Sequence, residues 1–382
     1  MFAALALGAI VGCFAPGDVI RAMNCFRDSF GQFIKFFVPF IIIGLVTPAI
    51  AETGRAAGRA LLLTMAVAYA STLFAGVFAY GVSCAVFPAI LSGGLGSDAA
   101  SAFPAFFYLR IPPFMDVTTA LAVAFLVGLG IVATGAKAIE QAARELRGIV
   151  SRALSAVFVP LLPLYVFATM ADLTASGRLA MVGGGCVKIM GVAFATTTAV
   201  LLVQFAVAGI VAKRNPLRAL WNMLPAYLTG WGCCSSAATI PYTLAQTRKN
   251  GVSAETSDLV IPLCANVHLA GSMANMVVYA AGLIVLAGER LSPGAFAQYI
   301  LLVSVTAVAS PGVPGGVVLA CAAVAESALG FSQERYAVMI ALYMALDGMG
   351  TACNLTGDGA IAMVVDRFRG RCFNGKGGAT GT

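Results

Sequence analysis

Between Ala60 and Ile90 the chain carries no Asp, Glu, Lys or Arg. Val117–Thr134 and residues 259–287 are equally free of them, and residues 179–211 hold one, Lys188. A helix needs about 20 residues to cross a hydrocarbon core of about 30 Å, so each run is long enough to span a bilayer. The whole sequence is 60% hydrophobic and 10% charged, against about 25% charged in soluble domains. Too few polar residues remain to clothe a large soluble α/β enzyme. The expected class is an all-α integral membrane protein.

The formal charge of +7 is not a nucleic-acid signal, because the basic residues sit between apolar segments. They gather at Arg55 and Arg59, at Lys137, Arg144, Arg147 and Arg152, at Lys213, Arg214 and Arg218, at Arg248 and Lys249, and from Arg367 to Lys376. Under the positive-inside rule these clusters face the cytoplasm. The connections near Asp98, Asp172 to Arg178, Glu289–Arg290 and Glu334–Arg335 then face outward, and both termini fall on the cytoplasmic side. Ten cysteines lie mostly in apolar segments with no zinc-type spacing, so no disulfide framework is expected. The start lacks the positive n-region of a cleavable signal. Residues 1–15 are short for a span, and part of the first helix is expected to precede residue 1.

The coarse order places helices at residues 1–15, 30–50, 56–88, 118–135, 145–170 (kinked at Pro160 and Pro163) and 180–212. A Gly/Ser/Pro-rich outer loop covers 92–113. Residues 220–247 are apolar but interrupted by Pro225, Gly230, Gly232, Ser235–Ser236 and Pro241, with basic residues beyond both ends. Both ends therefore belong on one side, as in a re-entrant hairpin. Residues 293–329 carry Ser310-Pro311-Gly312-Val313-Pro314-Gly315-Gly316 at their middle, and both flanks belong outside. Non-helical backbone at membrane depth is tolerated only when buried in protein or lining a cavity. Two hairpins of opposite orientation predict inverted repeats around a midplane site; the plainer alternative is two kinked spanning helices.

A polar stripe lies inside the last apolar segment. Asp347, Gly350, Thr351, Asn354 and Asp358 are spaced i, i+3, i+4, i+7, i+11 and share one helix face. Carboxylates at membrane depth are costly and mark ligand or ion sites. No Walker motif, nucleophile–base set or metal-ligand cluster accompanies them, so an enzyme is not expected, and an ion gradient is the expected energy source.

Ser235-Ser236-Ala237-Ala238-Thr239-Ile240-Pro241, Gly312-Val313-Pro314-Gly315 and Asn354-Leu355-Thr356-Gly357-Asp358 carry a resemblance to the dicarboxylate/amino acid:cation symporters, the glutamate transporter homologues. It covers nearly the whole chain. Ser-Ser-Ala-Ala and Ala270–Gly271 are more similar to the serine/threonine:sodium symporter branch. The resemblance implies eight transmembrane helices plus two re-entrant hairpins, a homotrimer and an elevator form of alternating access. Residues 1–52 and 96–175 become scaffold helices, 53–95 helix three of the transport domain, 176–370 that domain's core and 371–382 a cytoplasmic tail. The implied location is the inner membrane.

By the same resemblance Asp347 holds a substrate ammonium, Thr351 and Asn354 contact substrate with Asn354 on the α-carboxylate, Ser235, Ser236 and Ser272 join them, and Val313 covers the site. Hairpin tips present helix N-terminal N–H groups that suit an anion. For Thr351 and Asn354 the plainer role is interhelical hydrogen bonding. Dicarboxylate carriers of the family place an arginine where this chain has Gly350, and another where it has Cys234. Glycine offers no fork for a distal carboxylate, which points to a small neutral amino acid; the alternative is that Gly350 eases helix packing. One sodium site is implied at Asp358 and Asn354, with carbonyls near Cys264 and His268, and it looks intact. A second loses its aspartate to Ala270 and its asparagine to His268. A third, at carbonyls around Asn266, Ala307, Val308 and Ser310, is weakened, since Leu269 replaces a nearby thioether. Tyr69, Ser71 and Thr72 are further candidate ligands on helix three.

His268, the sole histidine, is read as mid-helix with Ser272 and Asn275 on its face. It is either a protonatable stand-in for the missing cation or a neutral ring bonded to a carbonyl. The vicinal Cys233–Cys234 pair is read as packing, and Trp221 and Trp231 as interface anchors. Sodium is a co-substrate and no cofactor is expected; partners are an amino acid, sodium and the bilayer, without nucleic acid. Alternatives to sodium-coupled import of a serine-, threonine- or alanine-like substrate are altered or proton-linked coupling, a dicarboxylate carrier, and an anion-conducting or degenerate carrier.

Overall fold

The computed structural model describes residues 2–55, 59–91, 103–177, 179–308 and 315–368. Every regular element among them is helical. They are α1 (Phe2–Phe14), α2 (Gly17–Arg55), α3 (Arg59–Ile90), α4 (Val117–Thr134), α5 (Lys137–Ala153), α6 (Val159–Ala175), α7 (Leu179–Ala212), α8 (Pro216–Cys233), α9 (Ile240–Lys249), α10 (Ala254–Val267), α11 (Ala270–Leu286), α12 (Pro293–Val308), α13 (Gly316–Ala320), α14 (Ala322–Leu329) and α15 (Gln333–Arg367). Among the described residues, six helical segments are long and apolar enough to cross a membrane. The shorter apolar helices are Thr119–Thr134 and Pro293–Val308.

Local chemistry sets several starts. Asp116 accepts from the Thr119 N–H at the head of α4, Asn215 from Arg218 at α8, Ser253 from Thr256 at α10 and Ser332 from Arg335 at α15. Each such cap is worth about 1 kcal/mol. Gly135 closes α4 at φ 67° with its N–H on the Ile131 carbonyl, a left-handed position that favours glycine.

Two expectations about helix limits change. The second helix begins at Gly17, not near residue 30, because the polar stretch before residue 30 includes Asn24 and Arg27, which pack inside the protein. Arg27 is 3% exposed and Asp172, on α6, 2%. Their ion pair measures 3.0 Å, and Asn24 donates to the other Asp172 oxygen at 2.9 Å. The fifth segment begins at Lys137, and a π turn over Leu154–Phe158 joins α5 to α6. There the Val159 N–H reaches back five residues to the Leu154 carbonyl. The wide turn sits just before Pro160, which cannot donate and crowds the preceding carbonyls. Phe158 on this turn stacks between Phe33 and Phe37 of α2, at centroid distances of 4.9 and 4.8 Å.

One packed group joins α1 to α6 and α2 to α4, α5 and α6. A second joins α3 and α7 to α11, with α15 against α7, α8, α10 and α11. The arms of the first expected hairpin are α8 and α9. Pro225, Gly230 and Gly232 lie inside α8 or its last turn, so the chain breaks only at Cys234–Thr239. The hairpin's base is tied: Asn222 donates to Asn250 at 2.8 Å, Asn250 to the Ala219 carbonyl at 3.0 Å, and Arg214 to the Asn250 and Gly251 carbonyls. Arms α12 and α13–α14 of the second pack together; its tip at 309–314 and the expected tail at 371–382 fall outside the described residues.

Candidate functional site

The stripe on α15 is buried: Asp347 7% exposed, Thr351 6%, Asn354 3%, Asp358 1%. The helix is not uniform there. Leu346 sits at φ −122°, ψ 17°, a kink immediately before Asp347. The apolar segment Ala254–Leu286 is broken as well. His268 lies at φ −96°, ψ 104° and Leu269 at φ −123°, ψ 38°, between α10 and α11. The mid-helix placement of His268 is therefore corrected: it stands at a break, beside the N-terminus of α11.

That N-terminus lacks a cap from its own Leu269. Asn354 supplies one from across the interface: its Oδ1 accepts from the Gly271 and Ser272 N–H groups at 2.8 and 3.2 Å, and its Nδ2 donates to Ser272 Oγ at 2.9 Å. Orphan amides at a helix start need such partners, so Asn354 holds the break in shape.

One cavity gathers most of the expected substrate residues. Hairpin residues Cys234, Ser235 and Ser236 face Asn266, Leu269 and Ser272, and Tyr343, Asp347, Thr351 and Asn354 form the α15 wall. The described lining contains one carboxylate, Asp347, and no Lys, Arg or His. Gly315, at φ 74°, donates its N–H to Asp347 Oδ2 at 2.9 Å, which ties the start of α13 to the carboxylate. Cys234 also takes positive φ, 51°. Val313 and Ser310 lie outside the described residues.

Gly350 is not among the lining residues. A Cβ there would lie 3.0 Å from Asn275 Nδ2 and 3.6 Å from Ser272 Cα. Asn275 is 1% exposed, and neither of its amide atoms has a hydrogen-bond partner among the described residues. The sequence placed Asn275 on the face of His268; it turns instead toward Gly350.

The expected cation residues divide. Cys264 and Ala307 are buried, Asn266 lines the cavity and Val308 ends α12. The Cys264 carbonyl accepts the His268 N–H at 2.9 Å. Asp358 does not stand open. His268 Nδ1 lies 2.9 Å from Asp358 Oδ1 and 3.3 Å from the Asn354 carbonyl, and Nε2 lies 3.1 Å from Ser71 Oγ and 3.2 Å from Gln204 Nε2. Thr72 accepts the Leu269 N–H at 3.2 Å, while Tyr69 pairs with Ser304 at 2.7 Å. Gln204 was not singled out; its amide within the otherwise apolar run 199–212 was the signal available.

The family model of the sodium:dicarboxylate symporters matches residues 1–368. The chain belongs to the sodium:dicarboxylate symporter family. Among curated relatives, "Neutral amino acid transporter A" of Bos taurus is 28% identical over 150 residues, 39% of this chain and 28% of the relative. "Neutral amino acid transporter B(0)" of Mus musculus is 28% identical over 174 residues, 44% and 31% of the two chains, and that of Homo sapiens 27% over 176 residues, 45% and 32%. These matches span under a third of each relative's length. The family and these relatives are transporters, not enzymes.

Proposed function

We propose that this family member is a secondary active symporter that imports a small neutral amino acid with sodium by alternating access. The observation that carries the reading is the cavity wall: one carboxylate to meet an ammonium, and no described cation to meet a second carboxylate. Asp347 takes the ammonium, and the pairing offsets part of each partner's desolvation cost. Ser235, Ser236, Thr351, Asn354 and Ser272 serve the α-carboxylate. The relatives' names concern neutral amino acids, in keeping with this.

On this reading α8–α9 and α12–α14 are the re-entrant hairpins of an eight-span protein with inverted repeats. The α1, α2, α4, α5 and α6 group is the scaffold of a homotrimer in the inner membrane. The α3 and α7–α15 group is the moving elevator, and both termini are cytoplasmic. Sodium enters as co-substrate at the carbonyls around Asn266, Ala307, Val308 and Ser310.

The test is uptake of labelled serine, threonine, alanine and aspartate into proteoliposomes, with and without an inward sodium gradient. Sodium-dependent uptake of a neutral substrate with aspartate inactive is expected. Strong aspartate uptake would overturn the substrate class, and uptake driven only by a pH gradient would overturn sodium coupling.

Gly350→Arg gives a sharper result. The new side chain enters beside Asn275 and the cavity-lining Ser272, and its length carries the guanidinium into the cavity to supply the missing fork. A charge-assisted hydrogen bond contributes about 1.5–3 kcal/mol, so aspartate should become a competitor by at least ~10-fold while serine uptake falls. Unchanged competition profiles would show that residue 350 does not border the substrate.

A further inference from the structure

We propose that the His268 imidazole fills the cation position at Asp358, so that this chain binds no sodium ion there and any sodium it couples binds elsewhere. This rests on the symporter reading above and concerns which ions that symporter uses.

Both partners are sealed from solvent, His268 at 0% and Asp358 at 1%. Nδ1 faces two oxygens, Asp358 Oδ1 at 2.9 Å and the Asn354 carbonyl at 3.3 Å. Both are acceptors only, so Nδ1 carries a proton and donates to them. Both residues are among those the family resemblance offers to an ion, beside carbonyls near Cys264 and His268. A hard cation of calcium's size, which sodium shares, collects about 6–8 oxygens at about 2.3–2.6 Å. An N–H pointing into that shell excludes it.

The far side of the ring is held as firmly. Ser71 on α3 and Gln204 on α7 both reach Nε2, and Gln204 donates to Ser71 at 2.8 Å. The second carboxylate that the family uses here is Ala270. Gly357 provides the room: a Cβ on it would lie 2.6 Å from His268 Cε1 and 2.6 Å from Gln204 Oε1. The backbone cannot easily swing the ring out, because the His268 N–H is bonded to Cys264 and the Leu269 N–H to Thr72. Every element around the ring thus contributes to a fitted imidazole seat spanning two of the family's ion positions.

The single histidine makes the test direct. Protein labelled with 15N-histidine, purified in detergent, is compared in sodium chloride and in N-methyl-D-glucamine chloride. The ring-nitrogen shifts and the Nδ1-bound proton should be the same in both. Sodium-dependent loss of that proton signal would overturn the proposal. Equilibrium binding of 22Na+ to Asp358→Asn gives a second readout, since an asparagine Oδ1 still accepts from Nδ1–H. The number of ions per protomer should equal that of the wild type, and loss of one ion would overturn the proposal. If the wild type takes up no amino acid with sodium, the symporter reading fails while the ring spectrum still decides the occupancy of Asp358.

Discussion

Asp347→Asn should abolish amino-acid uptake, by at least ~100-fold, while leaving the protein folded. The substitution keeps the shape and an oxygen for the Gly315 N–H that Oδ2 accepts at 2.9 Å. It removes the only carboxylate among the described cavity residues. An ammonium drawn into this site would then lose its countercharge. Leaving one member of a buried pair uncompensated costs about 3–5 kcal/mol, and each 1.4 kcal/mol is about tenfold in affinity. Asp347→Glu separates charge from position: it should restore part of the binding, since the charge returns one methylene too far out. Equilibrium binding of labelled serine to both variants, beside their melting temperatures, is the measurement. Near-wild-type binding by Asp347→Asn would remove Asp347 from the ammonium site.

The stripe around Asp347 was legible because helical spacing is rigid: residues at i, i+4 and i+7 share a face whatever surrounds them. The α8–α9 pair lies where the basic residues at both ends led the sequence reading to expect a re-entrant hairpin, and the two ends of that pair meet through Asn222, Asn250 and Arg214. The break at His268–Leu269 was not. Neither residue is a breaker, and the element that stabilises the break, the Asn354 amide, lies 86 positions from His268. A cap delivered from another helix leaves no local signature. The start of α2 was missed for the opposite reason. Its charges looked like a loop to a hydropathy reading, yet Arg27 is neutralised within the fold by Asp28 and Asp172. The His268–Asp358 contact was only half legible: the resemblance set both residues at one sodium site and left His268 either a stand-in for a missing cation or a ring bonded to a carbonyl, without placing the imidazole against the carboxylate.

Those charges on α2 give the largest expected effect on stability. Arg27→Met should lower the protein's resistance to unfolding by about 3–5 kcal/mol, the usual cost of stripping one partner from a buried pair. Asp172 would stay 2% exposed without the guanidinium 3.0 Å away. Arg27 also bonds Asp28 at 2.8 Å and approaches Glu334 at 3.9 Å, while Gln333 donates to the Asp28 carbonyl at 2.9 Å. The cluster therefore fastens α2 and α6 to the start of α15. Adding Asp172→Asn to Arg27→Met should recover most of the loss, because the uncompensated charge disappears while Asn24 keeps an oxygen to donate to. Unfolding midpoints of the single and double variants in detergent decide this. A single variant as stable as the wild type would mean that water reaches Asp172 and that the helices are not held together there.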